Sequence, residues 1–529
     1  MTMALERPQR TPSELLPASS VTNRLPNWVV LPVMALGLAF RLWDIGQPYI
    51  GLHMWNEIYY VTIARNFDHY GPFLQYNYLE VGGRPLSPVF GPTPLVPWMV
   101  WVSSHFLGNT EWVARLPILL LGLLALSSLY LIARELYDFE IALLSVFFAA
   151  VMPGAVFFSR QVALDGPMAA FGLAAFLFLL FFRRLRQYRW LVASSVLFAL
   201  SIMAKYTAVL FAPALLLVWV QILWRGDSRT RRGTWTLATS YFILSVLPAA
   251  AWFAFSASAS STLPAGRGSV SYLDRFSEMN PRAYFEALQV GWLRLAEQTG
   301  PMLWYPLVVA LAIASAFNGL RQLAEKHLEV ILLVLPWFAQ IIYPFSWSIN
   351  DAYSFPPLYG IAILLALFAR EGFSRVRQMA IASERRVLVI ALSLLVLVLL
   401  SSLVSYKRTY RWWYHPDWVA SQQLANAITP YDPFSSALLV RSVNVDHRSI
   451  LADLPSTLYY AKNEDWLGRA TYTYWWFPGE LDLALAYIEN REFNYVVFTY
   501  QPPVDILEAL VQSGYRRIAP GAWERASDS

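Results

Sequence analysis

Eleven apolar runs set the fold of this chain, near residues 28–45, 115–134, 140–159, 166–182, 190–204, 206–224, 235–256, 302–318, 328–347, 355–369 and 387–405. A bilayer crossing takes about 20 mostly apolar residues in a helix, and each run approaches that length. Charged residues make up only 14% of the 529 residues, against roughly 25% in soluble domains. The chain is therefore expected to be mainly α, a polytopic transmembrane helical bundle. The first run lacks a small-residue cleavage site and reads as a retained span.

Arginine orients the bundle. Arg183, Arg184, Arg186 and Arg189 form one cluster and Arg225, Arg229, Arg231 and Arg232 a second. Arg321 with Lys326 marks a third loop, and Arg370, Arg375, Arg377, Arg385 and Arg386 a fourth. All four fall in alternate loops, so the positive-inside bias makes them cytoplasmic together. The basic N-terminal tail (1–27) is then cytoplasmic as well. These conditions hold together if the short run Pro94–Gly108 lies on the surface or re-enters instead of crossing.

The spans thus occupy 28–405, with long external loops at 46–114 and 257–301, the second a candidate lid. An odd span count puts 406–529 outside as well. In that tail Leu438–Val440 and Tyr495–Phe498 read as buried strands, and 481–490 and 504–513 as helices. The expectation is a small external soluble α/β domain on a cell (plasma or inner) membrane protein. The absence of cysteine excludes disulfides and a thiolate nucleophile. No histidine pair has metal-ligand spacing, and no glycine-rich phosphate loop is present.

The chemistry-bearing residues gather on the expected external side. Glu57 lies on a short amphipathic segment after the first span, beside Asn56, Tyr59 and Tyr60, and His53 precedes it. Asp165 stands at a span entrance before Gly166-Pro167, and Asp351 with Tyr353 lies between the ninth and tenth spans. Arg84, Arg160 and Lys205 are the nearby cations. Each admits a plainer reading. Glu57 can be a solvated charge, Asp165 a helix N-cap, and Lys205 a snorkelling lysine. Arg41 reads as structural, snorkelling or paired with Asp44. Carboxylates beside cations at the bilayer boundary suit a lipid-linked anionic substrate, the cations holding phosphate and a carboxylate deprotonating a hydroxyl.

The ordered set of segments resembles the GT-C membrane glycosyltransferases, which include protein O-mannosyltransferases and the lipid A aminoarabinose transferase. Carrying the resemblance are Arg41–Asp44, Asn56–Arg65, Glu111–Pro117, Ser159–Pro167, Ala204–Ala208, Asp351–Tyr353 and, in the tail, Leu454–Tyr460. It implies inverting transfer of a sugar from a polyprenyl-phosphate donor to a hydroxyl of an external lipid, glycan or protein acceptor. It further implies catalytic roles for Glu57 and Asp165, with Asn56 at the position of the family's first acid. Donor-phosphate binding would fall to Lys205, Arg160 and Arg84. Substrate contacts would fall to Tyr59, Tyr60, His53, Asp351 and Tyr353. Metal dependence varies in the family, so Mg or Mn at Glu57 and Asp165 is one expectation and no cation the other. Asn56 is a departure, because an amide cannot act as a base. So is Phe90–Leu95, which stands where relatives often carry a charge before paired prolines. A lipid-linked saccharide flippase and an inactive scaffold are the competing readings.

Overall fold

The computed structural model describes residues 26–49, 54–73, 93–224, 228–260, 281–316, 319–338, 355–378 and 384–407, and parts of the tail within 437–441, 470–474, 485–491, 495–498, 504–519 and 522–526. Helices come in the expected order. They are α1 (Val30–Leu42), α2 (Met54–Tyr70), α3 (Leu95–Leu107), α4 (Glu111–Leu136), α5 (Phe139–Val151), α6 (Pro153–Phe158), α7 (Asp165–Leu185) and α8 (Tyr188–Ala204). After them come α9 (Ala212–Trp224), α10 (Ser228–Ser260), α11 (Pro281–Thr299), α12 (Pro301–Ala316), α13 (Gly319–Val334), α14 (Leu358–Gln378) and α15 (Glu384–Tyr406). Among the described residues, four segments are long and apolar enough to cross a membrane: Glu111–Leu136, Asp165–Leu185, Tyr206–Trp224 and Gly233–Ser258.

Local chemistry sets the boundaries. Gly108 ends α3 at φ 89°, where a side chain would be strained, and Thr110 in extended conformation precedes α4. Asp138 caps α5 by accepting from the Ile141 amide at 3.0 Å. Arg183 and Arg184 fill the last turn of α7, where cations suit the helix dipole. At that end Arg184 reaches Glu135 at 2.6 Å, Arg183 reaches Glu329 at 3.5 Å, and Arg370 pairs with Asp138.

The core centres on α7, which is buried along nearly its whole length between α4 and α8. Trp219, Trp304, Trp337, Tyr241 and Tyr359 are among its largest members. A second, smaller cluster lies at the opposite end from the Arg184–Glu135 and Arg183–Glu329 pairs. There Tyr49, Ile58 and Val61 meet Val96 and Val100 of α3, Ile118 of α4, and Val162.

Three expectations change. The 140–159 run is two helices, because Pro153 has no amide hydrogen and the chain breaks at Met152. The 206–224 run opens as a 3₁₀ turn at Tyr206–Phe211 before α9. The 257–301 loop is helical where it is described, as the end of α10 and all of α11; 261–280 falls outside the described residues.

The tail contributes β1 (Ala437–Arg441), β2 (Ala470–Tyr474), β3 (Tyr495–Phe498), β4 (Tyr515–Ala519) and β5 (Ala522–Arg525) in the order β2-β1-β3-β5-β4. β1 runs parallel to both β2 and β3, whereas β5 runs antiparallel to β3 and β4. Helix α16 (Val504–Gln512) buries Ile506 and Leu510 with Val496, Phe498 and Trp523. The strands β1 and β3 and the helix α16 fall where the sequence placed strands and a helix. Of the helix at 481–490, only 485–486 and 488–490 are described.

Candidate active site

Helix breaks converge at one end of the bundle, and the polar residues gather there. The first break is Met152-Pro153. Without a Pro153 amide, the Ala149 carbonyl of α5 has no intrahelical partner. Arg41 supplies one, donating from Nη2 to Ala149 at 3.4 Å and to the Ala155 carbonyl at 3.2 Å. Its Nε donates to Ser159 Oγ at 2.7 Å. Arg41 is thus a buried brace between α1 and the α5–α6 break, which replaces the expected snorkelling or Asp44 pairing.

The second element is the segment 159–164 between α6 and α7. Two glycines let it approach. A Cβ at Gly122 would fall 2.6 Å from the Ser159 carbonyl oxygen, and one at Gly166 would fall 2.8 Å from that of Phe158. Arg160 donates to the Trp43 carbonyl and to the Tyr406 hydroxyl, tying the ends of α1 and α15 together. With Asp44, Gln47, Arg115 and Gln161 it lines a water-sized cavity of about 10 Å³. Expected to hold phosphate, Arg160 is here 5% exposed and bound to protein oxygens.

Glu57 lies at the first turn of α2 and is 1% exposed. Arg115, in the first turns of α4, clamps it with Nε to Oε1 and Nη2 to Oε2, both 2.8 Å. The Val162 amide adds a third bond to Oε1 at 3.1 Å. Arg115 also donates to the Ile45 carbonyl at 2.8 Å and to that of Gln47, and lies 4.9 Å from the Tyr49 ring centre. Such a two-pronged pair is strong and directional. It fastens α1, α2, α4 and the 159–164 segment together, which is neither a solvated surface charge nor an open catalytic carboxylate. Neighbouring Asn56 is half-buried. Helix α2 turns Ile58, Val61–Ala64 and Phe67 into protein and leaves Asp68 exposed.

The third break is Lys205. Helix α8 stops at Ala204, Lys205 is extended, and a 3₁₀ turn follows. Its Nζ reaches Asp165 Oδ1 at 2.7 Å, with both side chains under one-tenth exposed. Asp165 is the first residue of α7, with Leu164 at the N-cap position, and pairs with Lys205 in place of the expected capping. Lys205 is accordingly not a snorkelling side chain. Ser201 Oγ donates to the Met168 carbonyl at 2.7 Å, locking the end of α8 to the start of α7. Thr93 Oγ1 donates to the Met203 carbonyl at 2.5 Å, bringing in the turn before α3.

Tyr59 and Tyr60 stack edge-on at 5.1 Å. Burial pushes the Tyr59 phenol up to about 12, so at neutral pH it is a hydrogen-bond donor and not a base. His53, Arg84, Asp351 and Tyr353 lie outside the described residues. Among the described residues no group of three histidines or carboxylates could hold a metal. Glu57 and Asp165 already have their charge compensated by Arg115 and Lys205, so these two do not fit a divalent cation as arranged.

The architecture has solved counterparts. ArnT from Cupriavidus metallidurans in the apo state superimposes with a TM-score of 0.59 at 15% identity, covering 94% of this chain and 98% of its own. The same protein bound to undecaprenyl phosphate gives 0.57 at 16% identity, covering 95% and 98%. The fold is that of the GT-C glycosyltransferases. Archaeal oligosaccharyltransferase AglB from Archaeoglobus fulgidus, in complex with an inhibitory peptide and a dolichol-phosphate, shares it at a TM-score of 0.53 and 14% identity, over 89% of this chain and 69% of its own. The family model described as dolichyl-phosphate-mannose-protein mannosyltransferase matches residues 91–252. No curated protein sequence matches the chain significantly. Within the GT-C fold the matched stretch runs from just before α3 into α10, and so includes Arg115, Arg160, Asp165 and Lys205.

Proposed function

We propose that this protein is a membrane glycosyltransferase that moves a sugar from a polyprenyl monophosphate to a hydroxyl of a lipid, glycan or protein acceptor, with inversion. The observation that carries the proposal is the buried Asp165–Lys205 pair, 2.7 Å apart at two adjacent helix breaks. The GT-C fold supports it, as do the undecaprenyl phosphate and dolichol-phosphate bound by structural relatives.

In this reading Lys205 exchanges the Asp165 carboxylate for the donor phosphate, which releases Asp165 as general base. The acceptor oxygen attacks the anomeric carbon from the face opposite the phosphate, and its proton passes to Asp165. The bond from that carbon to the phosphate oxygen breaks, and polyprenyl phosphate departs with the electron pair, its developing charge held by Lys205. Glu57 takes a positioning role, because withdrawing it as a base would leave the Arg115 guanidinium buried without its carboxylate. The site faces outward and the α/β unit lies on the same side, consistent with the alternation of arginine-rich loops. A non-catalytic scaffold is the second reading, favoured by the amide at Asn56.

The test is turnover of radiolabelled polyprenyl-phosphate sugars by the purified protein in lipid, paired with mass spectrometry of envelope glycans and lipids from a deletion strain. The transferase reading expects donor consumption in vitro and loss of one sugar from one envelope component in vivo. Intact donor across a panel of sugars together with an unchanged envelope would favour the scaffold.

A further inference from the structure

A second cavity lies beyond the clamp. Along α2 the residues Glu57, Val61, Ala64–Arg65 and Asp68 recur at helical spacing and form one stripe. The clamp occupies its first turn, and the later turns open into a cleft of about 200 Å³ between α2, α3 and the start of α4. Its polar lining includes Arg65, Asp68, Trp101, His105, Asn109 and Thr110. Asp68 is exposed, and its Oδ1 accepts from Trp101 Nε1 at 2.7 Å, which fixes the indole against the carboxylate. Phe67 meets the indole edge-on at 6.4 Å, and His105 lies beside it at 6.2 Å.

This chemistry selects its ligand. One guanidinium, one carboxylate and the His105 imidazole line the same space, so no single charge dominates it. A small neutral ligand rich in hydroxyls fits it. A pyranose ring lays its C–H face on an indole, which offers an apolar body. Its vicinal hydroxyls then meet the acceptors and donors of a carboxylate, a guanidinium, an amide and a hydroxyl. A few convergent polar groups around an aromatic floor are what a small-ligand site requires. The cleft is also contiguous with the candidate active site, since Val61 and Ala114 line it one turn and one residue from Glu57 and Arg115.

We infer that this cleft binds one uncharged sugar ring of the acceptor. That the ring belongs to the acceptor rests on the transferase reading; that the cleft binds a sugar does not.

The experiment is saturation-transfer NMR on the full chain in lipid nanodiscs free of glycoside detergents. The probes are methyl α-mannoside, methyl β-glucoside and methyl β-galactoside as free ligands, and a short glycolipid incorporated in the disc as the lipid-borne source. At least one probe is expected to receive saturation, whichever source presents the ring. Asp68→Asn should weaken it about tenfold, the scale of one charge-assisted hydrogen bond, and Trp101→Leu should abolish it. Asp68 is exposed, so its variant keeps the test open if Trp101→Leu does not fold. Asp165→Asn should bind the glycoside as wild type does while losing donor turnover, which separates failure of this inference from failure of the transferase reading. No saturation of any probe, or saturation unchanged in Asp68→Asn and Trp101→Leu, overturns the inference.

Discussion

Glu57 and Asp165 are both buried carboxylates paired with a cation, and the number of bonds each makes separates their roles. Glu57 uses both oxygens on Arg115 and takes a third bond from Val162, whereas Asp165 is bound to Lys205 through one oxygen at 2.7 Å. A single-point contact to a flexible lysine is the easier one to exchange for a ligand, since ammonium is a point charge and guanidinium a fixed fork. Glu57→Gln should lower stability by roughly 3–5 kcal/mol, the cost of leaving one member of a buried pair uncompensated. Arg115→Met should do the same. The double substitution should cost clearly less than the sum, measured by thermal unfolding in lipid. Equal, additive losses would remove the clamp from the explanation. The sequence displayed Glu57 and Arg115 but not their pairing, because contact across 58 positions leaves no local trace. One signal was available: Arg115 begins an apolar run at the end expected to be external, where arginine is disfavoured, which is the mark of an internal partner.

At the scale of elements, the site is assembled by interruptions. The Met152-Pro153 break, the extended Lys205 and the turn at Thr93-Pro94 each place a polar group where a continuous helix would have none. Apolar run length locates helices well, and α4, α7, α8 and α15 match their expected spans closely. It is blind to the loss of one amide hydrogen, so the α5–α6 break within 140–159 was not read from hydropathy. Strands β1 and β3 were legible as short apolar runs. β2, with Thr471 and Thr473 alternating with Tyr472 and Tyr474, and the arginine-bearing β4 and β5 were not, because partners in the sheet override their composition. Gly166 is the element-level test. Its Cβ would press on the Phe158 carbonyl oxygen at 2.8 Å, so Gly166→Ala should shift the first turn of α7. The expected effect is a loss of about 1–3 kcal/mol, with kcat falling more than KM rises because Asp165 moves with that turn. Wild-type kcat in this variant would show that the position of Asp165 is not critical.

At the scale of the whole molecule, the two ends of the bundle are chemically unlike. One carries Arg183, Arg184 and Arg370 in ion pairs near loop surfaces; the other carries Arg41, Arg115, Arg160 and Lys205 buried among carbonyls and carboxylates. The first pattern is the kind that orients a membrane protein, and the second gathers the candidate site. Because the chain has no cysteine, a single introduced thiol reports its side unambiguously. Gln512→Cys, exposed at the end of α16, should react with a membrane-impermeant maleimide in intact cells. Gln187→Cys, exposed between α7 and α8, should react only after permeabilisation. The reverse pattern would invert the topology and place the site on the cytoplasmic side.

The most direct measurement compares donor turnover by the wild type, Asp165→Asn and the Glu57→Gln/Arg115→Met pair at matched abundance in lipid. Asp165→Asn should lose about a hundredfold or more, the scale of a positioned general base, while the paired substitution keeps turnover within about tenfold of wild type. Wild-type turnover in Asp165→Asn, with loss confined to the Glu57 and Arg115 substitutions, would contradict the assignment of the chemistry to Asp165 and Lys205.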